Sequence, residues 1–136
     1  MGNFTKSWHM EVGLNHVPAY QVSGQPFATG SIQASAAAVK VSFPYVTRWV
    51  TIVNNSTTEA CKVGFSEAGV DGDNYFTVGK GATNIPVTTG RLELKVSELW
   101  LSGANGVDIV AGVTSIPVSR TTTSSGTSWS GSSGVG

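Results

Sequence analysis

The groups with which this chain of 136 residues could do chemistry are few: Cys61, His9, His16 and eight carboxylates. His9 and His16 stand seven apart with no acidic partner at metal-ligand spacing, so they read as surface or interface histidines. Asp71-Gly72-Asp73-Asn74 has the oxygen-rich look of a calcium loop and is followed by Tyr75. The EF-hand pattern, however, wants a third ligand residue before its glycine and a distal Glu, so a turn is the plainer reading. Asp71, Asp73, Asn74 and Tyr75 are kept as calcium or glycan candidates. Gly79-Lys80-Gly81-Ala82-Thr83 lacks the spacing of a phosphate loop and any following helix. Carboxylates could pair as Glu93 with Glu98 or as Asp71 with Asp73, but nothing in the pattern places either pair in a cleft. Cys61 falls in strand alternation, as a small core residue would. The expectation is a protein that is not an enzyme, with no catalytic residues, no metal and no cofactor.

The elements that must carry these groups are strands. Ser and Thr make up 32 residues, Gly 17 and Val 18, a composition of strands and turns that nearly excludes long helices. Residues 16–22 and 27–32 read as short extended segments around the turn Ser23-Gly24-Gln25-Pro26. Val39, Val41 and Phe43 alternate with Lys40 and Ser42. In residues 46–53, Val46, Val50 and Ile52 share one face with Arg48, while Trp49 and Val53 share the other. Cys61, Val63 and Phe65 form another alternating run, and residues 75–78 and 84–87 two shorter ones. Leu92, Leu94 and Val96 point one way, but the phase slips at Ser97-Glu98-Leu99, where a bulge is expected. Val107, Ile109, Ala111 and Val113 make the last strand. No segment supplies the crossover helices that a parallel sheet needs. The fold expected is therefore all-β, an antiparallel two-sheet sandwich resembling a jelly roll.

Charge narrows the partners. Eight Lys and Arg balance eight Asp and Glu, leaving no formal net charge. The cations are scattered, which argues against nucleic acid as a partner. No apolar run reaches the roughly 20 residues that span a bilayer, so no membrane partner is expected either. A surface with 12% charged residues is one expected to be covered. Three regions follow: an extended N-terminal arm (residues 1–15), a sandwich (16–118) and a tail (119–136) in which 11 of 18 residues are Ser or Thr. Both arms lack a core of their own yet carry apolar side chains. Phe4, Trp8 and Met10 in the first, with Thr127, Trp129 and Val135 in the second, are the expected partner-binding residues. Trp49 and Trp100 are expected as interface or core anchors, with core packing preferred.

Residues 15–31 (NHVPAYQVSGQPFATGS), 43–50 (FPYVTRWV) and 99–103 (LWLSG) resemble small virion structural proteins of aquatic tailed phages and large algal viruses. The resemblance spans about residues 11–117 and leaves out the Ser/Gly-rich tail. It implies a compact β-domain of jelly-roll type, made in the host cytoplasm and attached to the capsid exterior as a cement or decoration protein, usually as a homotrimer. The implied partners are the major capsid protein or other virion proteins. A tail, baseplate or vertex component and a carbohydrate-binding sandwich are the alternatives.

Overall fold

The structure is a computed structural model that describes residues 12–21 and 24–136. Among the described residues eight strands are β1 Gln25–Gln33, β2 Val39–Ser42, β3 Thr47–Asn54, β4 Cys61–Gly64, β5 Tyr75–Val78, β6 Val87–Thr88, β7 Glu98–Ser102 and β8 Asn105–Val113. They form two four-stranded sheets of order β1-β8-β3-β6 and β2-β7-β4-β5. All the strand pairs are antiparallel: β1 with β8, β2 with β7, β3 with β6 and β4 with β5, then β3 with β8 and β4 with β7. The first strand thus pairs the last, the second the seventh, and so inward. One long double ribbon is rolled over itself, which is the jelly-roll arrangement of an all-β sandwich.

The core lies between the sheets. Val50, Ile52, Val107, Ile109 and Ala111 from one sheet meet Cys61, Val63, Leu99 and Leu101 from the other. Ile52, Leu99 and Leu101 are fully buried, each contributing about 1.5–3 kcal/mol of transfer free energy. At one edge Phe27 and Phe43 meet edge to face, centroids 5.1 Å apart. Buried Asn54 ends β3: its side-chain amide donates to the carbonyls of Glu59 (3.0 Å), Val78 (3.3 Å) and Gly79 (3.1 Å), tying the two sheets together.

Several expectations meet a different local arrangement. The register of β3 shifts between Thr47 and Trp49, so Thr47 takes the inward place expected of Arg48, beside fully buried Val46. The phase slip after Val96 is not a bulge within one strand. Leu92 bridges Val50 of the first sheet, whereas Glu98–Ser102 belongs to the second, so the chain changes sheets between them. Residues 16–21 are not extended: a turn leads into α1, Pro18–Gln21, with Pro18 at its first position. A second short helix, α2 (Glu67–Asp71), is capped by Ser66, whose Oγ accepts from the Gly69 amide at 2.9 Å. At four and five residues, neither helix is long enough to show a helical period.

Candidate functional site

The two outer faces of the sandwich differ in charge and in what covers them. Strand alternation turns Pro26, Ala28 and Gly30 of β1, Asp108, Val110 and Gly112 of β8, and Trp49, Thr51 and Val53 of β3 outward on the first sheet. Trp49 lies across Gly112, where an added Cβ would come within 2.4 Å of its Nε1. The glycine is what lets the indole lie flat on the strand. Val110 is 37% exposed. Asp108 is the single charge among these positions, and it is already engaged: its oxygens accept from the Ser31 amide (2.9 Å) and from Asn55 Nδ2 (2.8 Å). At the corner of this sheet, Arg48 donates to the Tyr20 carbonyl, and Lys95 Nζ stands 4.8 Å from the Tyr20 ring centroid. Burial raises the pKa of the Tyr20 hydroxyl, which finds no partner among the described residues.

The outer face of the second sheet is strapped by the chain itself. Residues 121–136 roll into a series of turns: the Trp129 amide donates to the Thr121 carbonyl at 2.8 Å, and Thr123 and Gly126 exchange backbone bonds. This strap is seated on β7 and α2. Ser97 and Thr121 join hydroxyl to hydroxyl at 2.8 Å, and the Ser97 amide donates to Ser128 Oγ at 3.2 Å. Thr127 Oγ1 donates to Glu98 Oε1 at 2.7 Å, while Trp100 Nε1 donates to the other oxygen of that carboxylate at 2.8 Å. Ser66 Oγ donates to the Val135 carbonyl at 2.7 Å. Thr121 and Ser128 are fully buried. Polar side chains can be buried here because each finds a partner.

The candidate residues are therefore redistributed. Trp129, expected to enter a neighbour's pocket, packs against this chain's own core beside Phe65, Leu94 and Val96, and its Nε1 donates to the Lys95 carbonyl. Thr127 and Val135 likewise hold the strap to its own domain. Trp49 and Trp100, for which core packing was preferred, stand half-buried on the outer faces, one on each sheet, because they occupy the outward phase of β3 and β7. Phe4, Trp8 and Met10 lie outside the described residues. Glu93 pairs with Arg91 at 2.7 Å on the surface, far in role from Glu98 under the strap. Cys61 is fully buried, and burial pushes its thiol up to about 11. Asp71, Asp73, Asn74 and Tyr75 are exposed, and among the described residues no three His, Cys, Asp or Glu side chains converge as metal ligands. Asp73, Asn74 and Tyr75 do line one cavity of about 300 Å³ with Phe65, Phe76 and Gly134. Lys62 Nζ covers one face of the Tyr75 ring at 4.7 Å.

Glu98 was missed as a binding group, although it sits two residues before Trp100 on the same strand face. The contact glycines Gly69 and Gly112 leave no local sequence signal, since their role is set by what packs on them. Compared with protein-family models, curated proteins and solved structures, the chain matches none.

Proposed function

We propose that this chain is a non-enzymatic structural protein of a virus particle, a cement or decoration protein that grips the outside of the major capsid shell. The observation that carries this reading is the charge-poor outer face of β1-β8-β3-β6. A neighbour packing on Trp49, Thr51, Val53, Ala28 and Val110 strips water from no unpaired charge, since Asp108 keeps both of its partners. Such a surface is suited to permanent burial in an assembly. The resemblance of residues 15–31, 43–50 and 99–103 to virion structural proteins points the same way. A trimer set over the junction of capsid subunits would resist internal pressure by burying area across it. A standard contact of about 1,600 Å² suffices for each copy, and several copies add avidity.

The test places charge on the face: Val110→Glu and Thr51→Lys, both at outward positions. Expected are unchanged folding and loss of the protein from purified particles, read by imaging and by copies per particle. Full occupancy by both variants refutes this face as the interface. Imaging of the unsubstituted protein also separates a capsid position from a tail, baseplate or vertex one.

The cavity that gathers Asp73, Asn74, Tyr75 and Phe76 favours one other reading, a carbohydrate-binding sandwich in which Tyr75 and Phe76 stack on a sugar. A glycan array on which the protein gives no signal dismisses it.

A further inference from the structure

We infer that the charge-poor outer face takes an arginine of the partner protein, seated in a cavity over Asp108. This rests on the assembly reading and deepens it, by naming the chemistry that the partner brings.

The outward side chains of the first sheet stand in cross-strand rows. Ala28, Val110 and Thr51 make one row, and Asp108 with Val53 belongs to the next. Beside Asp108 stands Gly30, where an added Cβ would come within 2.8 Å of Asp108 Oδ1. With small Ala28 on the same strand, this leaves a cavity of about 350 Å³ over the carboxylate, walled by Ala28, Gly30, Val53 and Val110. Such walls suit the methylenes of a long side chain whose charged head reaches Asp108.

The carboxylate is fixed from both sides. The register of β1 shifts between Thr29 and Ile32, where Ser31 holds a left-handed φ of 56° without being glycine, and the Ser31 amide donates to Oδ1 at 2.9 Å. Asn55 Nδ2 donates to Oδ2 at 2.8 Å. Both donors are neutral. They keep the oxygens hydrogen-bonded when a neighbour covers the face, and they bring no positive charge. Among the described residues the ion pair formed is Arg91 with Glu93, so Asp108 has no cation of its own. A carboxylate offers about four acceptor sites, and two are used here, one on each oxygen. The remaining site on each oxygen matches the planar fork of a guanidinium, which donates two parallel N–H bonds. An ammonium is a point charge and gains less from that geometry. Because both oxygens are already held, seating an arginine orders nothing further on this side of the contact.

The probe is N-acetyl-arginine amide, titrated into the full-length chain and followed by NMR at the Ser31 backbone amide and the Asn55 side-chain amide. Saturable shifts are expected there, with an affinity at least ~10-fold above that at exposed Asp71 and Asp73, and none with the uncharged citrulline analogue. Asp108→Asn removes the charge, and Ala28→Leu keeps it but fills the cavity. Both should abolish the shifts, and each guards the other against a loss of fold, which thermal melts detect. Equal binding at Asp71 and Asp73, or equal binding of the citrulline or lysine analogue, overturns the inference. Signals that move on dilution of the free protein, or in Lys6→Ala, would give the cavity to a second copy or to this chain's own Lys6, and overturn it as well. On particles, Asp108→Asn should weaken attachment by ~30-fold or more, read as lost copies. Occupancy kept by Asp108→Asn but lost by Val110→Glu overturns the arginine and leaves the face as the interface. Arginine binding by a protein absent from particles refutes the capsid reading and leaves the site standing.

Discussion

Gly69→Ala provides a sign test of the strap's seat. The substitution falls inside α2 at helical backbone, where Ala is ordinarily favoured over Gly by about 0.8–1 kcal/mol. Here the new Cβ would lie 2.2 Å from the Val135 carbonyl oxygen, so the end of the strap has to leave. Departure caps the penalty. It gives up the Ser66–Val135 hydrogen bond, about 0.5–1.5 kcal/mol, and the half-burial of Val135, about 1 kcal/mol. The full chain should therefore lose about 0.5–1.7 kcal/mol once the helix gain is subtracted. In a chain ending at residue 132 the collision is gone, and only tight contacts to Ser66 Oγ (3.0 Å) and the Asn74 carbonyl (3.1 Å) remain against the helix preference. There the net effect should be within about 0.5 kcal/mol of zero. Urea unfolding reads the difference: at ~2 kcal/mol per molar, the midpoint moves by about 0.3–0.8 M in the full chain and hardly at all in the short one. Equal shifts in both chains would refute the seating of the strap on α2.

Trp129→Ala should lower stability by about 1.5–2.5 kcal/mol, less than the 3–5 of a fully buried Trp, because the indole is half-buried beside an existing cavity; denaturant melts check this, and a loss under 0.5 kcal/mol would show that the indole is not seated. Asn54→Ala removes the amide that three carbonyls share and should cost about 2–4 kcal/mol, with β4 and β5 losing hydrogen-exchange protection first. Cys61 adds an alkaline limit. Its folded pKa of about 11 lies above the ordinary 9.0, so the folded state holds its proton longer than the unfolded one. That contribution is intact below about pH 9 and is lost at about 1.4 kcal/mol per pH unit up to about 11. Against Cys61→Ala, whose own profile should be flatter by that slope, a parallel pH–stability curve would remove the thiol as the cause.

The sandwich was legible because Val50/Ile52, Leu99/Leu101 and Val107/Ile109/Ala111 alternate, and alternation reports a face directly. The phase slip after Val96 was legible as a break but not as a change of sheet, since period two says which side a residue faces and not which strand lies beside it. Arg48 was misplaced for a related reason: the register shift that sends Thr47 inward is set by pairing with β8. The site was harder to read. Alternation placed Trp49 and Trp100 opposite Val50 and Leu99, but large apolar size argued for the core, and position within the pleat prevailed over hydrophobicity. A tail rich in Ser, Thr and Gly carries no period at all. Its docking depends on Glu98, Ser97 and Ser66, partners distant in sequence whose availability nothing in residues 119–136 encodes.

The rolled ribbon also dictates an order of events during synthesis. Because Gln25 at the start of β1 pairs with Val113 at the end of β8, and β8 fills the space between β1 and β3, the first sheet cannot close until almost the whole domain has been made. Such distant pairings fold slowly, over milliseconds to seconds. Meanwhile β1 and β3 wait with open edges, ready to pair with a strand from another nascent chain. Two copies made from neighbouring ribosomes on one message would be exposed to such mispairing in that interval, before each has finished folding on itself.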